Sequence, residues 1–239
     1  MRLLVSVTGP SEARAALTGG ADVIDAKDPR LGALGAVRPR VLRAVQAAVG
    51  ASGPVSAALG DGASETTLER RAATAAGLGV TFVKVGFSGA ATGSRARRLA
   101  LAARRGAGEV TRLVLVAYAD WRRADSPVPG AIVCLAVQTG AAGVLLDTAV
   151  KPAGLFTVLS PDAVGGWVAA AHAAGLFAGL AGSLTTPDFA MARALGADLV
   201  GVRGAACVGG RTGRVSPARV AALSALTRAA PLAAHAALV

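Results

Sequence analysis

Five segments of this 239-residue chain repeat one phrase: a helix end made of small residues, a glycine, then a short apolar run closing on a polar side chain. They are GGADVIDAK (19–27), GLGVTFVKVG (77–86), TGAAGVLLDTAVK (139–151), AAGLFAGLAGS (173–183) and LGADLVGVRG (195–204). Glycine suits the left-handed position that ends a helix, and an uninterrupted apolar run suits a strand buried on both faces. Recurrence of that unit marks a chain built from repeated βα pairs. Placing strands at the apolar runs gives eight: 2–7, 22–26, 54–59, 80–85, 112–117, 143–147, 176–181 and 198–202. Helices are expected over 11–19, 38–49, 65–77, 92–105, 128–139, 160–174, 186–195 and 216–228, with starts at Ser11, Ser160-Pro161, Thr186-Pro187 and Ser216-Pro217. Strict alternation favours a parallel sheet with right-handed crossovers. Eight units in about 250 residues close into one (β/α)₈ barrel. One domain over 1–239 is expected, with a flexible tail at 230–239.

Composition removes several rival classes. Hydrophobic residues are 53% and charged residues 16%, which excludes a charge-dominated disordered chain. The net charge of +11 invites nucleic acid, but the arginines are spread along the chain, with one modest cluster at 95–105 that suits a helix face. A solvated basic surface, without nucleic acid as partner, is the simpler reading. Residues 163–187 carry no Asp, Glu, Lys or Arg, yet glycines at 165, 166, 175, 179 and 182 divide them into a helix and a strand rather than one membrane span. Two cysteines have no metal-ligand spacing, and neither GxGxxG after a first strand nor GxxxxGK[ST] occurs, so neither metal nor cofactor is expected. The opening MRLLVSVTG is too short for a signal peptide core, and a cytoplasmic location follows. Nothing here decides whether the chain forms a homo-oligomer.

Barrel active sites lie at the C-terminal ends of the strands. The polar residues there are Asp25, Lys27, Asp61, Lys84, Tyr118, Asp120, Asp147, Lys151, Ser183 and Arg203. The lysines are the sharpest signal. Of 25 basic residues only three are lysine (Lys27, Lys84 and Lys151), and all three fall at or just past strand ends. Arginine stays protonated, whereas a desolvated lysine near other cations can lose its proton and attack a carbonyl as an amine. Asp25 lies two residues before Lys27, on the same side of a strand, and Asp147 lies four before Lys151. Such carboxylates can hold one lysine charged while another is driven neutral, giving acid, base and nucleophile. The loops after strands seven and eight, with Gly182 and Ser183 and with Arg203 and Gly204, offer close backbone approach, a hydroxyl and a guanidinium for a phosphate. The substrate expected from the residues is a small phosphorylated aldehyde.

These segments also resemble the (5-formylfuran-3-yl)methyl phosphate synthases of methanofuran biosynthesis. The similarity runs through LLVSV, GGADVIDAKDPRLGALGA, VSAALGD, FVKVG, AYAD, LLDTAVK, LAGSL and GADLVGVRGAAC, from residue 3 to 207. The resemblance implies condensation of two glyceraldehyde 3-phosphates, with loss of phosphate and water, to a furan aldehyde phosphate. It implies Lys27 as the Schiff-base lysine and Lys84 as the proton acceptor. Asp147 and Lys151 match its DTAxK segment, for proton transfer or phosphate contact, and Asp25 matches the first position of the D-x-K motif. Three rivals stand beside it: another lysine aldolase on a phosphorylated sugar, a phosphate-binding isomerase barrel, and a basic nucleic-acid-binding module.

Overall fold

The computed structural model describes residues 1–151 and 153–228; the tail expected to be flexible, 230–239, lies outside them. Eight parallel strands close into a barrel in sequence order: β1 (Arg2–Val7), β2 (Val23–Ala26), β3 (Val55–Ala58), β4 (Phe82–Gly86), β5 (Arg112–Tyr118), β6 (Gly143–Asp147), β7 (Phe177–Leu180) and β8 (Leu199–Val202). Closure is made by β1 against β8, with Arg2 opposite Leu199 and Val5 opposite Val202. The helices are α1 (Pro10–Thr18), α2 (Pro39–Val49), α3 (Glu65–Gly77), α4 (Gly93–Ala107), α5 (Pro129–Gln138), the single turn α6 (Leu155–Val158), α7 (Pro161–Ala173), α8 (Thr186–Ala194) and α9 (Pro217–Arg228). All the expected strands and helices are present within two residues. The short α6 and a hairpin of β9 (Cys207–Val208) with β10 (Arg214–Val215) are additions to the expected pattern.

The uncharged stretch 163–187 divides as its glycines require: α7 ends, Gly175 turns at φ 74°, and β7 begins. Among the described residues no helix is long and apolar enough to cross a membrane. Two helix starts differ from expectation. α1 begins at Pro10 rather than after Ser11, because the ring fixes the first helical φ. α8 is capped by Thr185, whose N–H donates to Asp188, rather than by Thr186.

The strands separate two cores by their period of two. Outward residues such as Leu3, Val5, Val7, Val83, Val85, Leu113 and Leu115 meet the helix layer and are fully buried. Several inward positions are small or polar, among them Ser6, Ser56, Ala58, Gly143, Gly179, Ala181 and Gly201, beside larger ones such as Phe82, Leu145 and Phe177. A Cβ at Gly143 would sit 2.5 Å from the Phe177 ring, so glycine there is what admits the ring to the barrel. Phe177 meets Phe82 edge to face at 6.0 Å between centroids, across the N-terminal end.

The C-terminal end of the barrel is braced by a buried ion pair. Arg203, just after β8, donates to Glu12 of α1 (Nη1–Oε2 2.6 Å, Nη2–Oε1 3.1 Å). Its other donors go to the carbonyls of Ser6 (3.0 Å), Arg211 (3.0 Å) and Gly213 (2.7 Å). All five N–H groups of the guanidinium are thereby used, joining β1, α1, β8 and the hairpin. Burial raises the Glu12 carboxyl, but the Arg203 contact and donors at Thr8 outweigh it and hold its pKa below the usual value. Removing one partner of a buried pair strands the other charge, at about 3–5 kcal/mol. Glu12→Ala is therefore expected to lower the unfolding free energy by about that amount, and Glu12→Gln by less, in urea titrations followed by circular dichroism. An alanine variant as stable as the wild type would contradict this account of the strut.

Candidate active site

The three lysines converge. Lys27, Lys84 and Lys151 all line one cavity of about 420 Å³ at the C-terminal end of the barrel, together with Asp147, Gly182, Ser183 and Gly204. They arrive from different directions: Lys84 from the middle of β4, Lys27 from the residue after β2, and Lys151 from the loop after β6.

Two of the three are paired. Lys84 Nζ lies 2.8 Å from Asp25 Oδ2, deep in the barrel, with both side chains almost fully buried. Ser6 Oγ donates to the same oxygen at 2.9 Å, because Ser6 and Asp25 are register partners on β1 and β2. Lys151 Nζ donates to Asp147 Oδ1 at 2.9 Å and to the Thr148 carbonyl and hydroxyl, each at 2.8 Å. The Thr148 N–H also donates to Asp147 Oδ1. Burial raises the Asp147 carboxyl, but the charges of Lys151 and Lys27 and these hydrogen bonds hold its pKa below the usual value.

Lys27 is different. Its Nζ has no hydrogen-bond or ion-pair partner among the described residues. Burial, and then the positive charges of Lys84 and Lys151, lower its pKa from 10.5 to about 8, against the opposing pull of Asp147 and Asp25. A buried lysine with cationic neighbours and no ion-pair partner of its own is readily made neutral.

The surrounding loops are held by polar contacts. Asp120 accepts from the N–H groups of Ala149 (2.7 Å) and Val150 (2.8 Å), fixing the loop that carries Lys151. Tyr118 OH lies 2.7 Å from both oxygens of Asp61. A Cβ at Gly86 would come within 2.3 Å of Asp61 and 2.5 Å of the Tyr118 hydroxyl, so glycine makes room for that contact. Burial raises the pKa of Asp61, and burial with the Asp61 charge raises that of Tyr118 well above 10.0, so the phenol stays protonated. Among the described residues no group of His, Cys, Asp and Glu could hold a metal.

The last two loops differ in part from expectation. Gly182 (φ 102°) and Ser183 (φ 51°) lie successively in the left-handed region, and Ser183 pays steric strain there. Such a turn bends the backbone over the cavity, close against Thr148. Arg203 also lines the cavity, but the guanidinium expected to bind phosphate is wholly spent on protein acceptors. Arg211 and Arg219 reach the cavity mouth instead. Sequence reasoning missed both, since arginine is abundant in this chain and neither lies at a strand end. Glu12 and Ser6 were missed as well; Ser6, an inward polar residue on β1, could have been flagged by alternation alone.

Comparison with known proteins accords with this geometry. Residues 3–224 match the family model described as 4-HFC-P synthase. The (5-formylfuran-3-yl)methyl phosphate synthase of Methanopyrus kandleri is 40% identical over 218 residues, covering 89% of this chain and 92% of the relative. That of Methanothermobacter thermautotrophicus is 37% identical over 221 residues, covering 90% and 94%. Among solved structures, phosphoribosyl anthranilate isomerase from Thermus thermophilus superposes with a TM-score of 0.63 at 15% identity, over 95% of this chain and 98% of that one, a likeness of fold. The match along nearly its whole length places this barrel in the 4-HFC-P synthase family of enzymes.

Proposed function

We propose that this enzyme condenses two molecules of glyceraldehyde 3-phosphate into (5-formylfuran-3-yl)methyl phosphate through an imine on Lys27. The observation that carries the reading is the asymmetry of the lysines: Lys84 and Lys151 each hold a carboxylate, and Lys27 holds none. A neutral Lys27 amine attacks the aldehyde carbon of the first triose, and loss of water gives the imine. Proton transfer from Lys84 to Asp25, 2.8 Å away, leaves a neutral amine at Lys84 without changing the net charge of the buried pair. That amine removes the carbon-bound proton next to the imine, and the electron pair moves into an enamine. The enamine attacks the aldehyde of the second triose and forms the new carbon–carbon bond. Ring closure puts an oxygen of the second triose on the imine carbon and expels the Lys27 amine, and elimination releases one phosphate and a second water, with the aromatic furan drawing the sequence forward.

The Lys151–Asp147 pair, beside Lys27, is placed to give protons to the departing oxygens. The phosphate groups lie against the backbone of the Gly182–Ser183 and Gly204 turns. Arg211 and Arg219 supply positive charge at the mouth, in place of the committed Arg203. Acting in the cytoplasm without a cofactor completes the reading, since lysine amines and carboxylates perform every step.

Borohydride treatment with glyceraldehyde 3-phosphate is expected to leave a reduced adduct on the Lys27 peptide, alongside a furan aldehyde phosphate in solution. Lys27→Arg should lose the adduct and slow product formation by at least about 10³-fold, the scale of losing a covalent nucleophile. Near-normal turnover in that variant would remove the imine from the mechanism.

The pKa of Lys27 adds a pH dependence. Its lowered value means the protonated, unreactive form dominates below about 8 and the amine dominates above it. The initial rate of trapping should rise about tenfold per unit in the acid range and level off above about pH 8. A profile flat from pH 6 to 9 would assign the trapped amine elsewhere.

A further inference from the structure

Beneath the site the barrel is hollow a second time. A cavity of about 250 Å³ is walled by Val23, Phe82, Phe177 and Leu199, each the first residue of its strand, with Arg2 and Arg112 at its rim. It therefore opens on the N-terminal face, opposite the rim that carries the loops. Its inner end reaches Ser56 and Lys84. Lys84 also lines the upper cavity, so the same side chain borders both spaces.

Two buried polar atoms nearby have no protein partner: Asp25 Oδ1 and Ser56 Oγ. Asp25 and Ser56 are register partners on β2 and β3, and each is at most 1% exposed. The other carboxylate oxygen of Asp25 is already taken by Lys84 and Ser6. An unsatisfied carboxylate oxygen in an apolar interior is costly, and a water bonded to such groups removes the cost.

We infer that Asp25 Oδ1 and Ser56 Oγ hold a water beneath Lys84, and that the lower cavity is a proton exit on the face away from the substrate. The exit rests on the reading of Lys84 as the base; the water site stands on geometry alone. The carbon-bound proton goes to the Lys84 amine, and its electron pair stays with the enamine. The Asp25 carboxylic acid, formed when Lys84 was made neutral, gives its proton to the water, and the Lys84 ammonium then passes its proton to the freed carboxylate. The water releases the proton it received to solvent through the N-terminal mouth. One proton moves at each step, nothing is oxidised or reduced, and Lys84 returns to an amine. A substrate filling the upper cavity blocks solvent from above, so a path below lets the base reset while the substrate stays bound. Ser56 is then a positioning residue that acts through the water.

The test compares Ser56→Val, which removes the hydroxyl and fills the water site, with Ser56→Thr, which keeps the hydroxyl. The valine variant is expected to lose about tenfold in kcat, within the range for one proton-transfer partner, at nearly unchanged KM and with a larger solvent deuterium effect. Its borohydride adduct on Lys27 should form as in the wild type, and the threonine variant should retain most of the turnover. Should Ser56→Val fail to fold, Leu199→Phe narrows the lower mouth without touching the lysines and should give the same loss in kcat. A high-resolution crystal structure should show an ordered water within hydrogen-bonding distance of both Asp25 Oδ1 and Ser56 Oγ. Wild-type turnover and isotope effect in a folded Ser56→Val or Leu199→Phe protein would overturn the exit, and a structure without that water would overturn the site. A wild-type protein that forms neither adduct nor furan would instead overturn the parent reading and the exit with it, and the crystal structure would still decide the water site.

Discussion

A carboxylate cannot be carried to the middle of a barrel alone, and the buried Asp25 makes the rest of this site necessary. Desolvating an isolated carboxylate costs many kcal/mol, so a cation must be buried with it, and the cation is Lys84. Ser6 joins them because parallel register sets it beside Asp25. Once Lys84 is paired with Asp25 and Lys151 with Asp147, Lys27 is left buried with no ion-pair partner of its own, and both carboxylates act on it only through space. The lowered pKa of Lys27 comes first from burial, which the charges of Asp147 and Asp25 oppose and those of Lys84 and Lys151 reinforce. Replacing Asp25 would disturb the site at a distance, by freeing the Lys84 charge.

The hollow interior has its own physical basis. Some inward positions on β1, β3, β6, β7 and β8 carry Ser6, Ser56, Gly143, Gly179 and Gly201, where a packed barrel would place bulky branched side chains. Cavities forfeit packing energy, and the loss is confined here to the inner layer. The outer layer between strands and helices is densely filled by Leu, Val and Ala, many fully buried. Stability and function are therefore carried by opposite faces of the same strands, an arrangement that period-two alternation makes available.

The elements were legible in the sequence because each was specified locally. A glycine turn, an apolar run and a capping residue act within a few positions, and strand and helix limits came out within two residues. The lysines were legible for a different reason: their rarity against 25 basic residues made position informative. What stayed hidden depended on partners far apart in the chain. Glu12 and Arg203 are separated by 191 positions, and only barrel closure brings them together. Asp61 and Tyr118 were visible singly as strand-end residues, but their shared hydrogen bond relies on the absence of a side chain at Gly86. The lower cavity is invisible to any motif, since its lining is contributed by residues of several strands far apart in the chain.

The contrast between Arg203 and the lysines shows why the two cations are not interchangeable at the same rim. A guanidinium presents five donors in a fixed plane, and satisfying all of them turns the residue into a joint. Arg203 joins four segments in this way and has nothing left to offer a ligand. An ammonium is a compact charge on a flexible stem, able to surrender a proton when desolvated. A chain that spends arginine on surface charge and struts keeps its interior free of competing amines, so that each lysine in the cavity is set by the carboxylate it does or does not hold. On the proposed reaction, that economy decides which amine attacks: with chemically identical groups in one cavity, only the pattern of pairing distinguishes nucleophile from base.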